Sequence, residues 1–539
     1  MKNNSLTKIW YMICFAFLGL IDQRRGSAPG EVQMMFSNMT GIVIALMLVP
    51  SLDLSRFKAR VYLIWTPVCL VATIALCLLG RAVWPYPLQW ISGVLNFTVW
   101  SYLAIYLIKE RRQPVPARRK WQPFWVCLLL MVILMQVSVR EGIVPLWYLV
   151  IFGGFYLIGI PKENWKEFFD GMLNGIILWF FVQQIIAFGF RPYDYVRYRG
   201  LYSGETQNGL FYMMAYCAFL IKWIWAKEKK APKLWSWIYF ILSASCISFI
   251  IYTGGRAPLL GAGAVTFAVY VWYDLVYQKR FLKWLLHCAA LGLCIVLTFP
   301  VVYGAIRYFP VILHHPVWFA DEYDQNTSVH SYDPWNSNKY ISFEQAVESN
   351  VGRILSLIGI DVNLWRHKLT GALTGLKVYA AESAEELDPS EPGDSPDNPF
   401  MLEDTDKDNS VSVRKAIYAY YWNHLNIAGH SVTGEGFYLT KDIYYGHAHN
   451  MFLQMAYNYG IPVGLLFTGL YLYSLLQVFW RKRRENVVCA VFLLAIFAFG
   501  MAEMAVIPGQ ITVAMIGIMF YFIGCSDEGK YGNLCDNVI

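Results

Sequence analysis

Long apolar segments alternate with short polar ones along most of the chain. We identify fourteen apolar segments, near residues 9–21, 34–50, 61–80, 88–108, 124–138, 143–160, 172–190, 209–226, 235–252, 258–277, 284–302, 450–478, 487–501 and 511–525. Several are shorter than the roughly 20 residues that a straight membrane-spanning helix needs, so we expect about 12–14 transmembrane helices. The pattern predicts an all-α polytopic membrane protein with one large external loop before its last three spans.

The longest hydrophilic stretch divides the chain. We expect residues 1–302 to form an N-terminal transmembrane bundle of about eleven spans, 303–448 a large loop, 449–525 the C-terminal transmembrane helices and 526–539 a tail. Within the loop, residues 381–409 carry eleven carboxylates, one lysine and four prolines, which is typical of a disordered or solvated segment. The stretch SVRKAIYAYYWNHLNIAG that follows has apolar residues at helical spacing and predicts an amphipathic helix.

The composition supports membrane insertion. Hydrophobic residues make up 57% of the 539 residues and charged residues only 15%, with a mean hydropathy of +0.39. Soluble proteins carry roughly 25% charged residues. The net charge of +7 is therefore read loop by loop and does not indicate nucleic-acid binding. The eleven cysteines fall in apolar segments or in the last fifteen residues and include no CxxC pair, so no disulfide framework is expected.

Positive charges assign a side of the membrane to each loop. The loops fall into two sets that alternate along the chain. One set, counted together with three nearby lysines, carries 25 lysines and arginines in total, whereas the short loops of the other set carry 8. Cytoplasmic loops are the ones enriched in these residues, so we expect both termini to be cytoplasmic and residues 303–448 to be external. Arg24 and Arg25 follow the first apolar segment directly, which favours a signal anchor over a cleaved signal peptide.

The chain lacks the patterns of nucleotide-binding sites and of common hydrolases. No phosphate-loop, dinucleotide-binding, HExxH or GxSxG pattern occurs, and the longest segment assigned to the cytoplasm has about fifteen residues. ATP-driven transport by this chain alone and a cytoplasmic nucleotide-sugar enzyme are thereby excluded. Any chemistry is expected at the outer face, on a substrate that arrives already activated.

Two external turns contain arginines suited to binding an anion. In TGGRAP, Arg256 stands at the start of a helix beside Gly254 and Gly255, whose N–H groups we expect to be exposed. A guanidinium together with free N–H groups at a helix N-terminus is suited to phosphate. Arg197 and Arg199 lie in the turn RPYDYVRYRGLYSGETQNG. These arginines either bind an anion or only extend to lipid headgroups.

The stretch GHAHNMFLQMAYNYGIPVG (446–464) places His447, His449 and Asn450 at the mouth of an apolar segment. Two histidines alone are a weak sign of zinc, which needs a third or fourth ligand. His424 and His430 could supply one, but their spacing matches no zinc pattern, so we expect no metal. His449 is either an interfacial side chain or a catalytic group, because imidazole exchanges protons near neutral pH.

The histidine stretch resembles the signature of the O-antigen ligase and polymerase superfamily of bacterial membrane glycosyltransferases. In that family a histidine–asparagine pair is followed by a leucine and then by a glycine-rich turn within the membrane. The matching residues here are His449, Asn450, Leu453, Gly460 and Gly464.

Three upstream stretches resemble further elements of the same family, in the same order. In SVRKAIYAYYWNHLNIAGHSVTGEGF an arginine, Arg414, opens an amphipathic helix and a glycine-x-glycine turn follows, although the family's usual proline before that turn is missing. RYRGLYSGETQNG resembles the arginine–glycine and asparagine element, with Arg199 and Asn208, and TGGRAPLLG resembles the external arginine element, with Arg256. The resemblance covers roughly residues 170–525.

The resemblance implies a C-type, inverting, metal-independent glycosyltransferase in the bacterial cytoplasmic membrane, with an extracytoplasmic site and no cofactor. Its donor would be a polyprenyl-diphosphate-linked glycan, whose diphosphate leaving group supplies the activation. His449 would accept or orient the acceptor proton, while Arg256 and Arg199 would stabilise the charge that develops on the diphosphate. The residues expected to bind the substrates are Arg197, Asn208, Asn450, Arg414 and His447.

Three functions remain open. Polymerisation of surface-polysaccharide repeat units is the expected activity, and ligation of a finished glycan to a lipid, wall or protein acceptor is the alternative with the same donor chemistry. A polysaccharide transporter or flippase would favour charged residues near mid-membrane. Only Lys222, His287 and Glu503 stand out in or near the spans, so the sequence favours an enzyme over a transporter.

Overall fold

The computed structural model describes residues 4–26, 30–83, 87–109, 123–138, 147–190, 198–202, 204–229, 231–312, 318–320, 328–330, 410–430, 437–438, 444–445, 447–480, 486–507 and 510–526. Arg197 and the acidic tract 381–409 lie outside these residues. The described chain consists of helices, connecting turns and two short β-hairpins.

The described residues of the N-terminal part form eleven helices. They are α1 Asn4–Gly26, α2 Gly30–Leu48, α3 Arg60–Val83, α4 Pro87–Lys109, α5 Pro123–Ser138, the single turn α6 Gly154–Leu157, α7 Trp165–Phe190, α8 Glu205–Glu228, α9 Lys233–Thr253, α10 Arg256–Tyr270 and α11 Phe281–Ile312. Short 3₁₀ turns cover Val49–Ser51, Leu54–Lys58 and Lys162–Asn164, and π-helical turns cover Leu149–Gly153 and Val271–Tyr277.

Two hairpins and one helix are described between α11 and the C-terminal helices. Strand β1 (Trp318–Ala320) pairs antiparallel with β2 (Ser328–His330), and β3 (Phe437–Tyr438) pairs antiparallel with β4 (Tyr444–Tyr445). Helix α12 (Ser410–Asn423) stands where the sequence predicts an amphipathic helix. The C-terminal helices are α13 Met451–Tyr459, α14 Ile461–Trp480, α15 Asn486–Gly500 and α16 Ile511–Ser526.

The prediction of an all-α polytopic membrane protein is confirmed. Among the described residues, eight helices are long and apolar enough to cross a membrane, and five shorter apolar helices accompany them. Large apolar side chains on the outside of the bundle are exposed, for example Leu63 on α3 at 66% and Val296 on α11 at 68%. Exposed apolar surface of this kind is what contact with lipid tails requires.

The helices differ from the predicted spans in two places, whereas the described part of segment 143–160 is helical from Trp147 to Leu157, with a π-helical turn at Leu149–Gly153. The predicted segment 450–478 is two helices, because Gly460 at φ +95° turns the chain between α13 and α14. A side chain there would collide with the carbonyl of Ile427. Finally, α11 continues to Ile312, beyond the expected boundary at residue 302.

Helix α8 lies at the centre of the bundle. Its residues are almost all buried between Asn208 and Ala226, and it packs against α7, α9, α10 and α15. A helix that is apolar on every side is typical of such a position. Lys222 lies in α8, but its ammonium group bonds to Asp170 of α7, which also pairs with Lys8 of α1. Lys222 therefore belongs to an ion-pair cluster that joins three helices.

Small residues allow α1 and α7 to touch. A Cβ added at Gly171 would lie 2.8 Å from the carbonyl oxygen of Lys8, and one added at Gly175 would lie 2.6 Å from that of Met12. Glycines four residues apart are a common means of close helix packing in membranes. Because both contacts advance in the same direction along the two helices, α1 and α7 run parallel.

The helices that follow the two arginine-containing turns, α8 and α10, also run parallel. A Cβ at Gly209 of α8 would touch Pro258 of α10, and a Cβ at Gly261 of α10 would touch Met213 of α8. The starts of α8 and α10 therefore lie at the same end of the bundle. Arg256, the first residue of α10, is at that end.

The same end receives the last connection of the chain. Asp22 near the end of α1, Tyr202 before α8 and Ile511 at the start of α16 line one small cavity. The Ile511 N–H donates to Asp22 Oδ1 at 3.1 Å. The described residues of the α15–α16 connection, 501–507 and 510, are therefore placed here as well.

We name the two ends of the bundle by their residues. The histidine end is defined by Asp22, Tyr202, Arg256 and Ile511, and the lysine end by Lys8, Asp170 and Lys222. The face of the membrane that each end meets stays a prediction from the positive charges.

Candidate active site

The site begins at the N-terminus of α13. Asn450 is the residue before this helix, with an extended backbone at φ −153°, and its Oδ1 accepts from the N–H groups of Phe452 at 3.0 Å and Leu453 at 3.1 Å. This is the bonding of a helix cap. Asn450 Nδ2 also donates to the carbonyl of Met501 at 3.3 Å. Asn450, which the sequence predicted to bind substrate, is thus the capping residue of α13, and its side chain bonds that helix to the end of α15.

The preceding residue, His449, has a left-handed backbone. Its φ is +47°, which is uncommon for a residue with a side chain. Such conformations persist where surrounding contacts enforce them, and they are found often at functional sites. Here the neighbouring Ala448 N–H is held by Gln454 Oε1 at 2.6 Å, from inside α13. The turn directs the imidazole of His449 toward the α15–α16 connection.

Glu503 in that connection joins the two histidines. Its Oε1 lies 3.1 Å from His447 Nε2 and 3.0 Å from His449 Nδ1, and the two imidazole ring centres are 4.1 Å apart. Because an ionised carboxylate only accepts hydrogen bonds, each of these nitrogens must carry a proton. A neutral His449 therefore keeps its proton on Nδ1, and Nε2 is the nitrogen that can take up another.

The three side chains are sheltered but accessible. The exposed fraction is 36% for His447, 19% for His449 and 16% for Glu503. Burial acts to raise the pKa of Glu503, but the hydrogen bonds from His447 and His449 outweigh it and hold that pKa well below its usual range. The carboxylate is therefore ionised at neutral pH. It can orient His449 and stabilise the positive charge that His449 acquires with a second proton.

Helix α12 supports the site from the loop side. The hydroxyl of Tyr418 lies 3.2 Å from the carbonyl oxygens of both His449 and Met501. Arg414 stands one turn earlier on α12 and bonds to this phenol. Burial raises the pKa of Tyr418, and Arg414 offsets part of the rise. The predicted site residue Arg414 is therefore brought close to His449 through Tyr418.

The same three side chains could hold a metal ion. One atom each from His447, His449 and Glu503 lies within 4.8 Å of the other two. Two histidines and a glutamate form the protein ligands of a known class of catalytic zinc site. His424 and His430 instead bond within their own turn, where His430 Nε2 lies 2.6 Å from the carbonyl oxygen of His424. The third potential ligand is thus Glu503, which sequence spacing alone did not assign.

The first arginine turn is held by buried hydrogen bonds. Tyr198 N–H donates to the carbonyl of Tyr252 at 2.9 Å, and Asn208 Nδ2 donates to the carbonyl of Tyr198 at 3.1 Å. Asn208 Oδ1 accepts from Gln183 Nε2 at 2.9 Å, and the Asn208 side chain is fully buried. Asn208, predicted to bind substrate, is therefore placed to hold the turn. Arg199, which is partly exposed, lies beside it.

Arg199 also has an acidic neighbour. Its Nε lies 3.4 Å from Glu205 Oε1, and both side chains are about one quarter exposed, at 27% and 21%. The carboxylate of Glu205 therefore balances part of the positive charge of Arg199. Arg199 remains next to the start of α8, at the histidine end.

The turn before Arg256 differs from expectation in one respect. Gly254 has φ +61°, and its N–H donates to the carbonyl oxygen of Ile251 at 2.9 Å. The N–H of Gly255 donates to the hydroxyl oxygen of Thr253 at 3.2 Å. The prediction that these two N–H groups are exposed is wrong, because the ends of α9 and α10 use them as caps. Arg256 itself is exposed at the start of α10.

The structure collects most of the predicted site residues at the histidine end. His447, His449 and Asn450 form one cluster with Glu503, and Arg414 joins it through Tyr418. Glu503 and Tyr418 are additions to the predicted site. Glu503 had one usable signal, because it is the only charged residue from 486 to 525 and it stands between two apolar segments. Tyr418 had none, since α12 is rich in tyrosine.

Comparisons with protein-family models, with characterised proteins and with solved structures found no match for the chain.

Proposed function

We propose that the chain is a glycosyltransferase that moves a glycan from a polyprenyl diphosphate to an acceptor hydroxyl at the outer face of the bacterial cytoplasmic membrane. The observation that carries the proposal is the contact of His449 Nδ1 with an ionised Glu503 at 3.0 Å. It supplies an oriented base at the same end of the bundle as Arg199 and Arg256. A base for the acceptor and cations for the leaving diphosphate are the two groups that this reaction needs.

The proposed reaction is a single displacement. The acceptor oxygen attacks the anomeric carbon while the bond from that carbon to the diphosphate oxygen breaks, which inverts the anomeric configuration. The acceptor proton passes to His449 Nε2, and the bonding electron pair leaves with the diphosphate. Glu503 stabilises the resulting imidazolium through the hydrogen bond that its carboxylate accepts from the Nδ1–H group.

The arginines receive the leaving group in this proposal. Arg256 is exposed at the first turn of α10, where the positive end of the helix dipole adds to its charge. Because Arg256 is exposed and Arg199 is only partly exposed, we assign Arg256 the larger share of the contact with diphosphate. A planar guanidinium holds two parallel N–H donors in the geometry of two phosphate oxygens, whereas the ammonium of lysine has no such fixed fork.

Polymerisation of surface-polysaccharide repeat units is the proposed use of this chemistry, and ligation of a finished glycan to a lipid, wall or protein acceptor is the alternative. Both use the same donor and the same residues. The length of the product separates them, since a ladder of repeats requires a polymerase and a single transfer requires a ligase.

A reconstituted assay tests the proposal. Purified protein in proteoliposomes is given a polyprenyl-diphosphate oligosaccharide with and without an added acceptor, and glycan transfer is measured. His449→Ala should abolish transfer while the protein stays monodisperse. His424→Ala, which removes an exposed histidine that bonds within its own turn, is the matched control and should retain activity. Full activity of His449→Ala would exclude the base, and an inactive wild type with every acceptor would exclude the function.

A second candidate function is favoured by the arrangement of possible metal ligands. His447, His449 and Glu503 could hold zinc with a position left for water, which would indicate metal-assisted hydrolysis of an external substrate. Treatment with a chelator distinguishes the two. Transfer that continues undiminished supports the metal-free displacement, whereas activity that is lost and then restored by zinc supports the metal reaction.

A further inference from the structure

A cavity at the lysine end has no part in the proposed reaction. It measures about 610 Å³ and lies between the last turn of α8, the first turns of α9 and the early part of α11. Its polar lining consists of Lys227, Lys233, Ser236 and His287. The remaining walls are apolar and include the indoles of Trp223 and Trp237.

A chain of hydrogen bonds fixes one wall of this cavity. His287 Nδ1 lies 2.7 Å from Asp274 Oδ2, and His287 Nε2 lies 2.6 Å from Lys227 Nζ. The carboxylate can only accept, so Nδ1 carries the proton and Nε2 accepts from the ammonium group. Lys227 thereby keeps two further N–H donors at the cavity wall, while its ammonium lies 4.3 Å from the centre of the Trp223 ring.

The cavity has an excess of positive charge. Among the described residues that line it there is no Asp or Glu, whereas Lys227 and Lys233 both face it. Asp274 is fully buried behind His287 and does not line the cavity. Lys233 is the first residue of α9, where the helix dipole disfavours a cation. An anion between the two lysines would relieve this repulsion and use the remaining donors of Lys227.

The surroundings of the cavity favour an anion attached to a lipid. Leu234 and Trp237 on α9 and Leu286 on α11 are exposed to 67%, 57% and 58%. Tryptophan is enriched where a membrane meets water. Basic pockets between transmembrane helices on the cytoplasmic side bind phosphate-bearing lipid headgroups, and the lysine end is the end that the positive charges assign to the cytoplasm.

We propose that this cavity is a binding site for an anionic phospholipid. The phosphate lies between Lys227 and Lys233, His287 and Asp274 hold Lys227 in place, and the acyl chains follow the exposed apolar sides of α9 and α11. The site is independent of the glycosyl-transfer proposal, because it lies at the opposite end of the bundle.

Lipid binding by the purified full chain tests the site. Protein stripped of lipid in detergent is titrated with phosphatidylglycerol, phosphatidylcholine or inorganic phosphate, and bound lipid is counted by native mass spectrometry. We expect one tightly retained phosphatidylglycerol, weaker phosphatidylcholine and no saturable phosphate. Lys227→Gln and Lys233→Gln should each weaken phosphatidylglycerol about fivefold, from the typical contribution of a lysine near a lipid surface.

The matched control removes two lysines from the same end but outside the cavity. The double substitution Lys162→Gln and Lys166→Gln removes two positive charges at exposed positions, one more than either single variant, and should leave retention unchanged. Equal weakening by the control would reduce the effect to general surface charge and overturn the site. Retention of phosphatidylcholine equal to phosphatidylglycerol, or saturable binding of inorganic phosphate alone, would also overturn it. Since Lys233 is exposed, its single variant keeps the test available if changes at Lys227 impair folding.

Discussion

Replacing Glu503 by glutamine tests the central contact of the site with almost no change in shape. The carboxylate accepts hydrogen bonds from His447 and His449 at 3.1 and 3.0 Å, and its Oε1 also lies 3.3 Å from the Met504 N–H. Glutamine offers one neutral oxygen in place of the charged pair. It can also turn its NH₂ group toward His449, which would move the imidazole proton from Nδ1 to Nε2 and remove the base.

The size of the effect follows from the two hydrogen bonds. A bond to a charged group contributes roughly 1.5–3 kcal/mol and a neutral one roughly 0.5–1.5 kcal/mol. The substitution therefore removes about 1 kcal/mol for each histidine, or about 2 kcal/mol for both. If all of this is lost from the transition state, the rate falls roughly thirtyfold. The wrong tautomer adds to the loss, and the comparable change in a serine-protease triad costs about 10⁴-fold.

The assay is glycan transfer by proteoliposomes under single-turnover conditions, with saturating polyprenyl-diphosphate oligosaccharide. We expect Glu503→Gln to lower the rate of transfer by between about thirtyfold and about 10⁴-fold. The matched control is Glu163→Gln, the same chemical change at an exposed position before α7 at the other end of the bundle. It should react at the wild-type rate.

Two results would refute the reasoning. Glu503→Gln that transfers glycan at the wild-type rate would show that the carboxylate neither orients His449 nor stabilises its charge. A lower rate of transfer that is accompanied by a lower melting temperature and weaker donor binding would show that Glu503 has a structural role only. Glu503→Asp, which keeps the charge on a shorter side chain, should recover more activity than glutamine if charge is the decisive property.

Four further outcomes are expected. Arg256→Lys should lower transfer at least tenfold while the protein remains folded, because lysine lacks the planar fork that fits two diphosphate oxygens, and unchanged turnover would exclude this contact. Asn450→Ala should cost about 1 kcal/mol of stability through loss of the α13 cap, measured by thermal unfolding, and Asn450→Asp should restore it. Gly175→Ala should destabilise the protein by about 1–3 kcal/mol, because the new Cβ would lie 2.6 Å from a carbonyl oxygen of α1; Gly292→Ala, where nothing lies within 4 Å, is the control. Because hydrogen bonds lower the pKa of Glu503 from its ordinary 4.5, the stability that the ionised carboxylate contributes is present above that value and is lost only as the pH falls below it. The difference in melting temperature between wild type and Glu503→Gln should therefore persist down to about pH 5 and shrink in stronger acid.

The membrane class follows from the sequence with little dependence on tertiary structure. A helix in lipid must satisfy its own backbone hydrogen bonds, so a long apolar segment has essentially one available structure. The apolar segments around α8, α9 and α11 were therefore predicted correctly as helices. The prediction from hydrophobicity that 450–478 is a single apolar segment was wrong, because the turn at Gly460 depends on a positive φ that hydrophobicity does not indicate. Only the resemblance to the family indicated a glycine-rich turn there.

The chemistry of the site followed only in part from the sequence. His449 and Asn450 attract attention because polar, titratable side chains are costly beside an apolar span. The sequence did not show that Asn450 caps α13 or that Asn208 is buried under a turn, since both roles depend on backbone atoms supplied by the fold.

The sequence by itself determined that this chain is a helical, multi-spanning membrane protein with histidines and arginines at the ends of its helices, because hydrophobicity and charge act along the chain. Only the tertiary structure decided that Glu503 lies 3.0 Å from His449, more than fifty residues earlier in the chain. The physical reason is that this distance depends on how α13, α15 and α12 pack together, through contacts such as that of Gly500 with Met451. Such contacts join residues that have no periodic relation in the sequence.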